Sequence, residues 1–179
     1  MRSALLVIDM INTFEFPGAS ALLSRTRRIV PVVASLKRRA RAAGCPVVYC
    51  NDNFGQWRSD FRALVARCTS GEAPGREIVE ALRPDASDYF VLKPRHSAFY
   101  QTPLETLLTR LRAQRLVLTG IAGESCIHAT AVEGHVREYD VVVVADATAS
   151  QTGVRHRRAL RHLADTKSAV IRTARGLRF

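Results

Sequence analysis

Short apolar segments alternate with amphipathic segments along almost the whole chain, and this alternation constrains the fold more than any other feature. Runs that are apolar throughout are typical of parallel strands whose two faces are both buried. We therefore predict an α/β fold, namely a three-layer, doubly wound, mostly parallel six-stranded sheet with helices on both faces. The predicted strands are Ala4–Ile8, Pro46–Cys50, Tyr89–Leu92, Leu116–Thr119, Val141–Val144 and Ala169–Arg172.

The segments between the strands carry apolar residues at helical spacing and predict the covering helices. The first helix is expected to end at Gly44, because glycine readily occupies the position just after a helix. The 179 residues contain no linker, repeat or low-complexity tract, so we predict a single domain over residues 1–179. The predicted helices are Ala19–Ala43, Phe61–Cys68, Arg76–Leu82, Pro103–Arg112, Cys126 to about Glu138, and Thr152–Leu163.

The formal net charge of +11 is concentrated in two segments. Arg25–Arg41 contains seven basic residues and no acidic one, and Gly153–Phe179 contains eight basic residues and one acidic one. Basic helices bind nucleic acid by releasing counterions, so a basic nucleic-acid-binding protein is the alternative from another class. No zinc finger, recognition helix or aromatic-rich RNA-binding strand accompanies these segments, and a solvated arginine-rich surface is favoured.

The remaining composition predicts a cytoplasmic protein. The apolar run Ala4–Ile8 is too short for a signal peptide or a membrane span. The four cysteines show neither CxxC pairs nor zinc-ligand spacing, which favours reduced thiols. No glycine-rich phosphate-binding loop follows any strand, so we predict no cofactor. The shortness of the apolar run predicts no membrane partner.

Three chemically versatile residues lie at the carboxyl ends of three predicted strands. Asp9 follows the first strand, Lys93 follows the third, and Cys126 lies just beyond the fourth. Parallel strands bring their carboxyl ends to one edge of the sheet, where sites form in doubly wound folds. A carboxylate that accepts the thiol proton and an ammonium that favours the thiolate would make Cys126 a nucleophile.

Cys126 is predicted in or just before the first turn of a helix. The amides and macrodipole of a helix N-terminus favour negative charge, so we expect a lowered pKa for this thiol. Each residue also has a simpler interpretation, with Asp9 capping a turn, Lys93 solvated and Cys126 buried as a small apolar side chain.

Four segments resemble the isochorismatase-like cysteine hydrolases, which include nicotinamidases and N-carbamoyl amidohydrolases. The resemblance implies a homo-oligomeric enzyme that cleaves a C–N bond of a small amide or carbamoyl compound through a thioester. It implies a catalytic Asp9–Lys93–Cys126 triad and a cis peptide at Ile121–Ala122. It also implies that the amides of Ala122 and Cys126 hold the oxyanion. The matching segments are Leu5–Phe14, Val47–Phe61, Val91–Phe99 and Leu116–Ala131.

Departures from the family pattern narrow this expectation. Nicotinamidases hold a metal through histidines after the second strand, whereas this chain has none between Asn51 and His96, so we predict no metal. Isochorismatases proper lack the nucleophilic cysteine that Cys126 provides. The turn Gly123-Glu124-Ser125 also differs from that of many relatives, and a member of the family with altered chemistry is the alternative within enzymes.

Substrate-binding candidates lie in the loops near these strand ends. Phe14 and Trp57 are interpreted either as pocket walls or as packing residues. His96 is a candidate hydrogen-bond donor to the substrate, with a solvated or core histidine as the alternative. Asn53 contacts the substrate or shapes its own turn, and the turn is favoured.

Overall fold

The structure is a computed structural model that describes residues 2–179. Its six strands form one sheet in the order β3-β2-β1-β4-β5-β6, and the observed strand pairs are parallel. This arrangement confirms the predicted α/β fold class. The strands are β1 (Ser3–Ile8), β2 (Val47–Asp52), β3 (Tyr89–Lys93), β4 (Arg115–Ile121), β5 (Asp140–Ala149) and β6 (Val170–Arg172).

Helices cover both faces of the sheet because side chains alternate between its faces along each strand. Leu5 and Val7 of β1 point into one core layer, and Leu6 and Ile8 point into the other. The first layer is closed by α1 (Ala19–Ala42), α2 (Phe61–Thr69) and α3 (Arg76–Ala81). The second is closed by α4 (Leu104–Arg110), α5 (His128–Val136) and α6 (Gly153–Asp165). A π-helical turn (Gly123–Ile127) precedes α5, and a 3₁₀ turn (Ala174–Gly176) lies near the C-terminus.

β4 continues beyond Thr119, where the predicted strand ended. It passes through Gly120, which has a φ of 110°, to Ile121. A Cβ atom there would lie 2.1 Å from the carbonyl oxygen of Ile8, so only glycine lets β4 stay paired to β1 at this point. The register of the pairing between β4 and β5 also shifts between Leu118 and Gly120. β5 extends to Ala149, whereas the predicted strand ended at Val144.

Lys37 of α1 is buried and joins that helix to the end of α3. Its Nζ donates hydrogen bonds of 3.0 Å to the carbonyl oxygens of Leu82 and Arg83 and lies over the ring of Tyr49. Burial lowers the pKa of Lys37 to about 8, and the Arg41 charge adds to this effect. A buried cation of this kind makes the first layer of helices dependent on polar contacts as well as apolar packing.

The basic residues of α1 are only partly available to an outside partner. Arg39 donates to the carbonyl oxygen of Ala174 at 2.7 Å, and Arg41 pairs with Asp88 at 2.6 Å. Because these two arginines bind groups within the chain, the interpretation of the arginine-rich face as a structural and solvated surface is favoured. Within residues 2–179, no helix is both long and apolar enough to cross a membrane.

The strand order creates a topological switch point beside β1. The chain passes from β1 to β2 on one side, and β4 later pairs with the other side of β1. Connections that leave in opposite directions open a crevice at the carboxyl ends of β1 and β4, where doubly wound proteins bind their ligands. The fold therefore directs the residues that follow these two strands toward one crevice.

Candidate active site

Asp9, Lys93 and Cys126 meet at this crevice. The Nζ atom of Lys93 lies 2.9 Å from Oδ2 of Asp9 and 3.4 Å from Sγ of Cys126. All three side chains are buried, and Lys93 is fully so. The structure thus joins into one cluster three residues that are separated by more than 30 positions in the sequence.

Lys93 reaches Asp9 across the end of an intervening strand. β2 lies between β3 and β1, and Lys93 pairs in register with Asp52 of β2. The long lysine side chain spans this distance, while its Nζ also donates to the carbonyl oxygen of Arg95 at 3.1 Å. Asp52 adds a second carboxylate 3.7 Å from the ammonium. These partners compensate the cost of burying a positive charge.

The Asp9 carboxylate is held from the β2 side. Asp9 has a φ of 54°, and its Oδ1 accepts a 2.7 Å hydrogen bond from the amide of Asp52. Next to it, the Asn51 side chain accepts from the amide of Ile11 at 3.0 Å and donates to the Ile11 carbonyl at 2.8 Å. Asn51 therefore fixes the loop after β1. Sequence reasoning missed this role, although an amide at the end of an apolar strand was a usable signal.

The pKa of Cys126 is raised and not lowered, so the sequence-based expectation is wrong in direction. Burial and the Asp9 carboxylate raise the pKa of the Cys126 thiol to about 12, against the opposing charge of Lys93. Burial also raises the pKa of Asp9, although Lys93 opposes it. Burial disfavours the charge of Lys93, but Asp9 and Cys126 outweigh it and raise the pKa of Lys93. These shifts favour a neutral thiol on Cys126 at rest, next to the close contact between Lys93 and Asp9.

The turn that carries Cys126 is closed by its own backbone. The Ile121–Ala122 peptide bond is cis, and the carbonyl oxygen of Ala122 accepts from the amides of Ser125 at 3.0 Å and Ile127 at 3.2 Å. Glu124 ties the turn to the segment after β5, since its Oε1 accepts from the amide of Gln151 at 3.1 Å. The turn thus holds the sulfur at the edge of the crevice.

Two of the substrate-binding candidates lie at an open cleft of about 620 Å³ next to the cluster. Trp57 is 77% exposed, which excludes a purely packing role within this chain. Asn53 uses its Oδ1 to accept from the amide of Gly55 at 2.9 Å, as the turn-shaping interpretation requires. The cleft is lined by Asp52, Asn53, Phe54, Gly55, Trp57, Pro94, Arg95, Tyr100 and Gln101.

The other two candidates have contrasting environments. Phe14 is 4% exposed and packs in the core beside Gly75, where the packing interpretation fits better than that of a pocket wall. His96 is exposed, and its Nδ1 lies 3.1 Å from Oγ of Ser125 and 3.8 Å from Sγ of Cys126. His96 and Ser125 therefore belong to the immediate surroundings of the sulfur. The contact with Ser125 was not predicted from the sequence.

Across residues 2–179, no three histidine, cysteine or acidic side chains are grouped so that they could hold a metal ion. The carboxylates near the cluster, Asp9 and Asp52, both face the ammonium of Lys93 instead. The expectation of a site without metal or cofactor stays a prediction.

The fold and the cluster define a doubly wound α/β protein with a buried aspartate–lysine–cysteine group at its switch point. The chain belongs to the isochorismatase family, because the model of the isochorismatase domain matches residues 3–175. This confirms the resemblance seen in the sequence.

Individual relatives agree with this membership. The isochorismatase family protein YaaI of Bacillus subtilis (strain 168) is 42% identical over 149 residues, which cover 83% of this chain and 81% of that protein. The ureidoacrylate amidohydrolase RutB of Serratia proteamaculans (strain 568) is 32% identical over 172 residues, covering 82% of this chain and 69% of that protein. The crystal structure of N-carbamoylsarcosine amidase from Thermoplasma acidophilum superposes with a TM-score of 0.77 at 26% identity and covers both chains completely.

Proposed function

We propose that this chain is a cysteine-dependent hydrolase that cleaves a C–N bond of a small amide or carbamoyl compound through a thioester. The observation that carries the proposal is the position of the Lys93 ammonium, 2.9 Å from Asp9 and 3.4 Å from Cys126. A thiol, a carboxylate and an ammonium lie together at the switch-point crevice, which supports the roles of nucleophile, proton acceptor and fixed positive charge that we propose for them. RutB and N-carbamoylsarcosine amidase, both relatives in sequence or fold, bear names of enzymes that act on such C–N bonds.

The reaction begins with transfer of the Cys126 proton to Asp9. The sulfur attacks the carbonyl carbon, and the C–S bond forms as the carbonyl oxygen becomes negative. In our proposal, the amides of Ala122 and Cys126 donate to this oxygen, a contribution worth about 3–4 kcal/mol per donor in well-studied hydrolases. Asp9 then gives its proton to the nitrogen, and the C–N bond breaks to release ammonia or an amine.

Water completes the cycle by hydrolysing the thioester. Asp9, again a carboxylate, takes a proton from water as the hydroxyl adds to the carbonyl carbon. Collapse of this adduct breaks the C–S bond, and the proton on Asp9 returns to the sulfur of Cys126. Lys93 transfers no proton in this scheme, because its raised pKa keeps it an ammonium throughout. Its role is to hold Asp9 and to stabilise negative charge on the sulfur.

Ammonia release from a panel of small amides and N-carbamoyl amino acids tests the proposal. Turnover by the wild-type protein should be lost in Cys126→Ala, and the quenched wild-type protein should carry an acyl or carbamoyl adduct on the Cys126 peptide. Cys68→Ala is the matched control, because Cys68 is buried in the opposite core layer. Substantial turnover by Cys126→Ala would disprove the thioester mechanism.

The proposal extends to assembly and location. The family resemblance implies a homo-oligomer, the composition indicates a cytoplasmic protein, and the lack of histidines between Asn51 and His96 indicates a site without a metal. Light scattering of the purified protein tests the oligomer, and metal analysis before and after chelation tests the metal. Nucleic-acid binding is less favoured, since Arg39 and Arg41 are engaged within the chain. A steep loss of nucleic-acid affinity with salt that is unchanged in Cys126→Ala would support that alternative.

A further inference from the structure

The sulfur of Cys126 lies between two different sets of polar groups. On its buried side it contacts Lys93, which is paired with Asp9. On its other side, Oγ of Ser125 and Nδ1 of His96 each lie 3.8 Å from Sγ, and these two atoms are 3.1 Å from each other. The mechanism above uses only the buried set, so the second set has no assigned role.

The geometry of the second set allows one continuous chain of hydrogen bonds to the sulfur. When Nδ1 of His96 carries a proton, it donates to Oγ of Ser125. The single hydroxyl proton of Ser125 is then free to point at Sγ of Cys126. In the other tautomer, Ser125 donates to His96 and the sulfur loses this donor.

We propose that His96 and Ser125 form a solvent-facing donor chain that stabilises the thiolate of Cys126, with His96 acting through Ser125. The proposal rests on the nucleophilic role given to Cys126 above. Both residues lie 3.8 Å from the sulfur, but the proton on Nδ1 of His96 is directed to Oγ of Ser125 at 3.1 Å. His96 is then a positioning residue, and the hydroxyl of Ser125 is the donor to the reacting sulfur. The chain counteracts an environment that otherwise disfavours negative charge on Cys126.

Other charged groups around the sulfur set the background for this effect. Burial and the Asp9 carboxylate raise the pKa of Cys126, while Lys93 and the Ser125 hydroxyl lower it. Asp52 faces Lys93 at 3.7 Å, and Glu124 beside Ser125 faces the segment after β5. Ser125 is only partly buried and His96 is exposed, whereas Lys93 is buried. The second set is therefore accessible from the crevice, and Lys93 is not.

The rate of Cys126 alkylation by iodoacetamide between pH 7 and 11 tests the chain directly. The readout is peptide mass spectrometry, which separates Cys126 from the other three cysteines. Ser125→Ala should slow Cys126 alkylation about 3- to 10-fold at neutral pH and raise the apparent pKa of the thiol, as expected for loss of one hydrogen bond. His96→Ala should have a similar but smaller effect.

Rescue and double substitution separate a donor chain from a structural role. Ser125→Thr keeps the hydroxyl, and His96→Asn offers an amide nitrogen near the place of Nδ1, so both should recover most of the wild-type rate. Ser125→Ala combined with His96→Ala should be no slower than Ser125→Ala alone, because His96 acts through Ser125. His135→Ala, which changes an exposed histidine at the end of α5, should leave the rate unchanged.

Three outcomes would overturn the inference. The first is an unchanged rate of Cys126 alkylation in Ser125→Ala. The second is a double variant in which the two losses of rate multiply. The third is a failure of Ser125→Thr and His96→Asn to recover the rate although both variants unfold at the same temperature as the wild-type protein. Failure of the proposed function has a different signature. In that case the alkylation effects persist, but Cys126→Ala leaves turnover intact or no amide is hydrolysed.

Discussion

Asp9→Asn should make Cys126 more reactive toward an alkylating reagent while it strongly lowers turnover. Asparagine keeps the shape of the side chain and an oxygen that can accept from the Asp52 amide. It removes the negative charge that raises the pKa of Cys126, whereas Lys93 remains 3.4 Å from the sulfur. The variant therefore separates thiol ionisation from proton transfer, which wild-type kinetics combine.

The size of the effect follows from the charges at the site. With a pKa of about 12, the Cys126 thiol is ionised in only about one molecule in 10⁴ at pH 8. Loss of a charge this close shifts a pKa by about one to three units. Because the nucleophilicity of a thiolate falls as its pKa falls, each unit raises the alkylation rate only about threefold, which gives an increase of about 3- to 30-fold. Loss of the general base and acid should lower turnover about 10²- to 10⁴-fold.

The assay pairs iodoacetamide alkylation of Cys126 at pH 8 with ammonia release from the best substrate of the panel. Asp140→Asn is the control, because it removes a carboxylate paired with Arg115 at the opposite edge of the sheet. It should change neither rate by more than about twofold. Slower alkylation of folded Asp9→Asn would refute the reasoning, because it would mean that Asp9 already holds the thiol proton in the resting protein.

Four further substitutions test the supports of the site and of the surrounding fold. Lys93→Met should lower turnover at least about 100-fold in the ammonia assay and destabilise the protein by about 3–5 kcal/mol in urea unfolding, because it leaves Asp9 buried without its partner. Gly120→Ala should cost about 3 kcal/mol or more, since its Cβ would meet the Ile8 carbonyl. Gly44→Ala, with positive φ but no close neighbour, should cost only about 1 kcal/mol in the same assay. The lowered pKa of Lys37, about 8, means that the unfolded chain binds more protons between pH 8 and 10, so stability rises with pH there. Lys37→Met should remove about 2 kcal/mol of this rise, measured as the difference in unfolding free energy between pH 7 and 10.

The sequence was sufficient to predict the sheet and the edge at which the site lies. Apolar runs fixed the strands to within a few residues, except β5, and parallel pairing placed Asp9, Lys93 and Cys126 at one edge. The contact between Lys93 and Asp9 could not be predicted from the sequence. It depends on the strand order, which puts β2 between the strands of these two residues. The end of β4 was predicted too early, at Thr119, for a similar reason, since the conformation of Gly120 depends on the neighbouring strand β1.

Local reasoning also failed for the charge state of Cys126 and for the aromatic side chains. A helix N-terminus lowers the pKa of a thiol, but burial and the Asp9 carboxylate raise the pKa of Cys126. Both of these effects come from the tertiary structure, so the local sequence does not show them. Phe14 and Trp57 were equivalent candidates in the sequence, yet one is 4% and the other 77% exposed. This difference in exposure comes from the conformation of the loops that carry the two side chains, and a pattern of residue types does not predict loop conformation.

Taken together, the contacts of the cluster assign each proton in the proposed reaction to one place. The raised pKa of Lys93 disfavours it as an acid, and the raised pKa of Cys126 favours a thiol over a free thiolate at rest. The moving proton is therefore shared between Cys126 and Asp9, whose own raised pKa suits it to accept and return that proton. The leaving nitrogen must then approach from the Asp9 side of the sulfur. This leaves the side of Ser125 and His96 free to stabilise the sulfur as its bond to carbon forms and breaks.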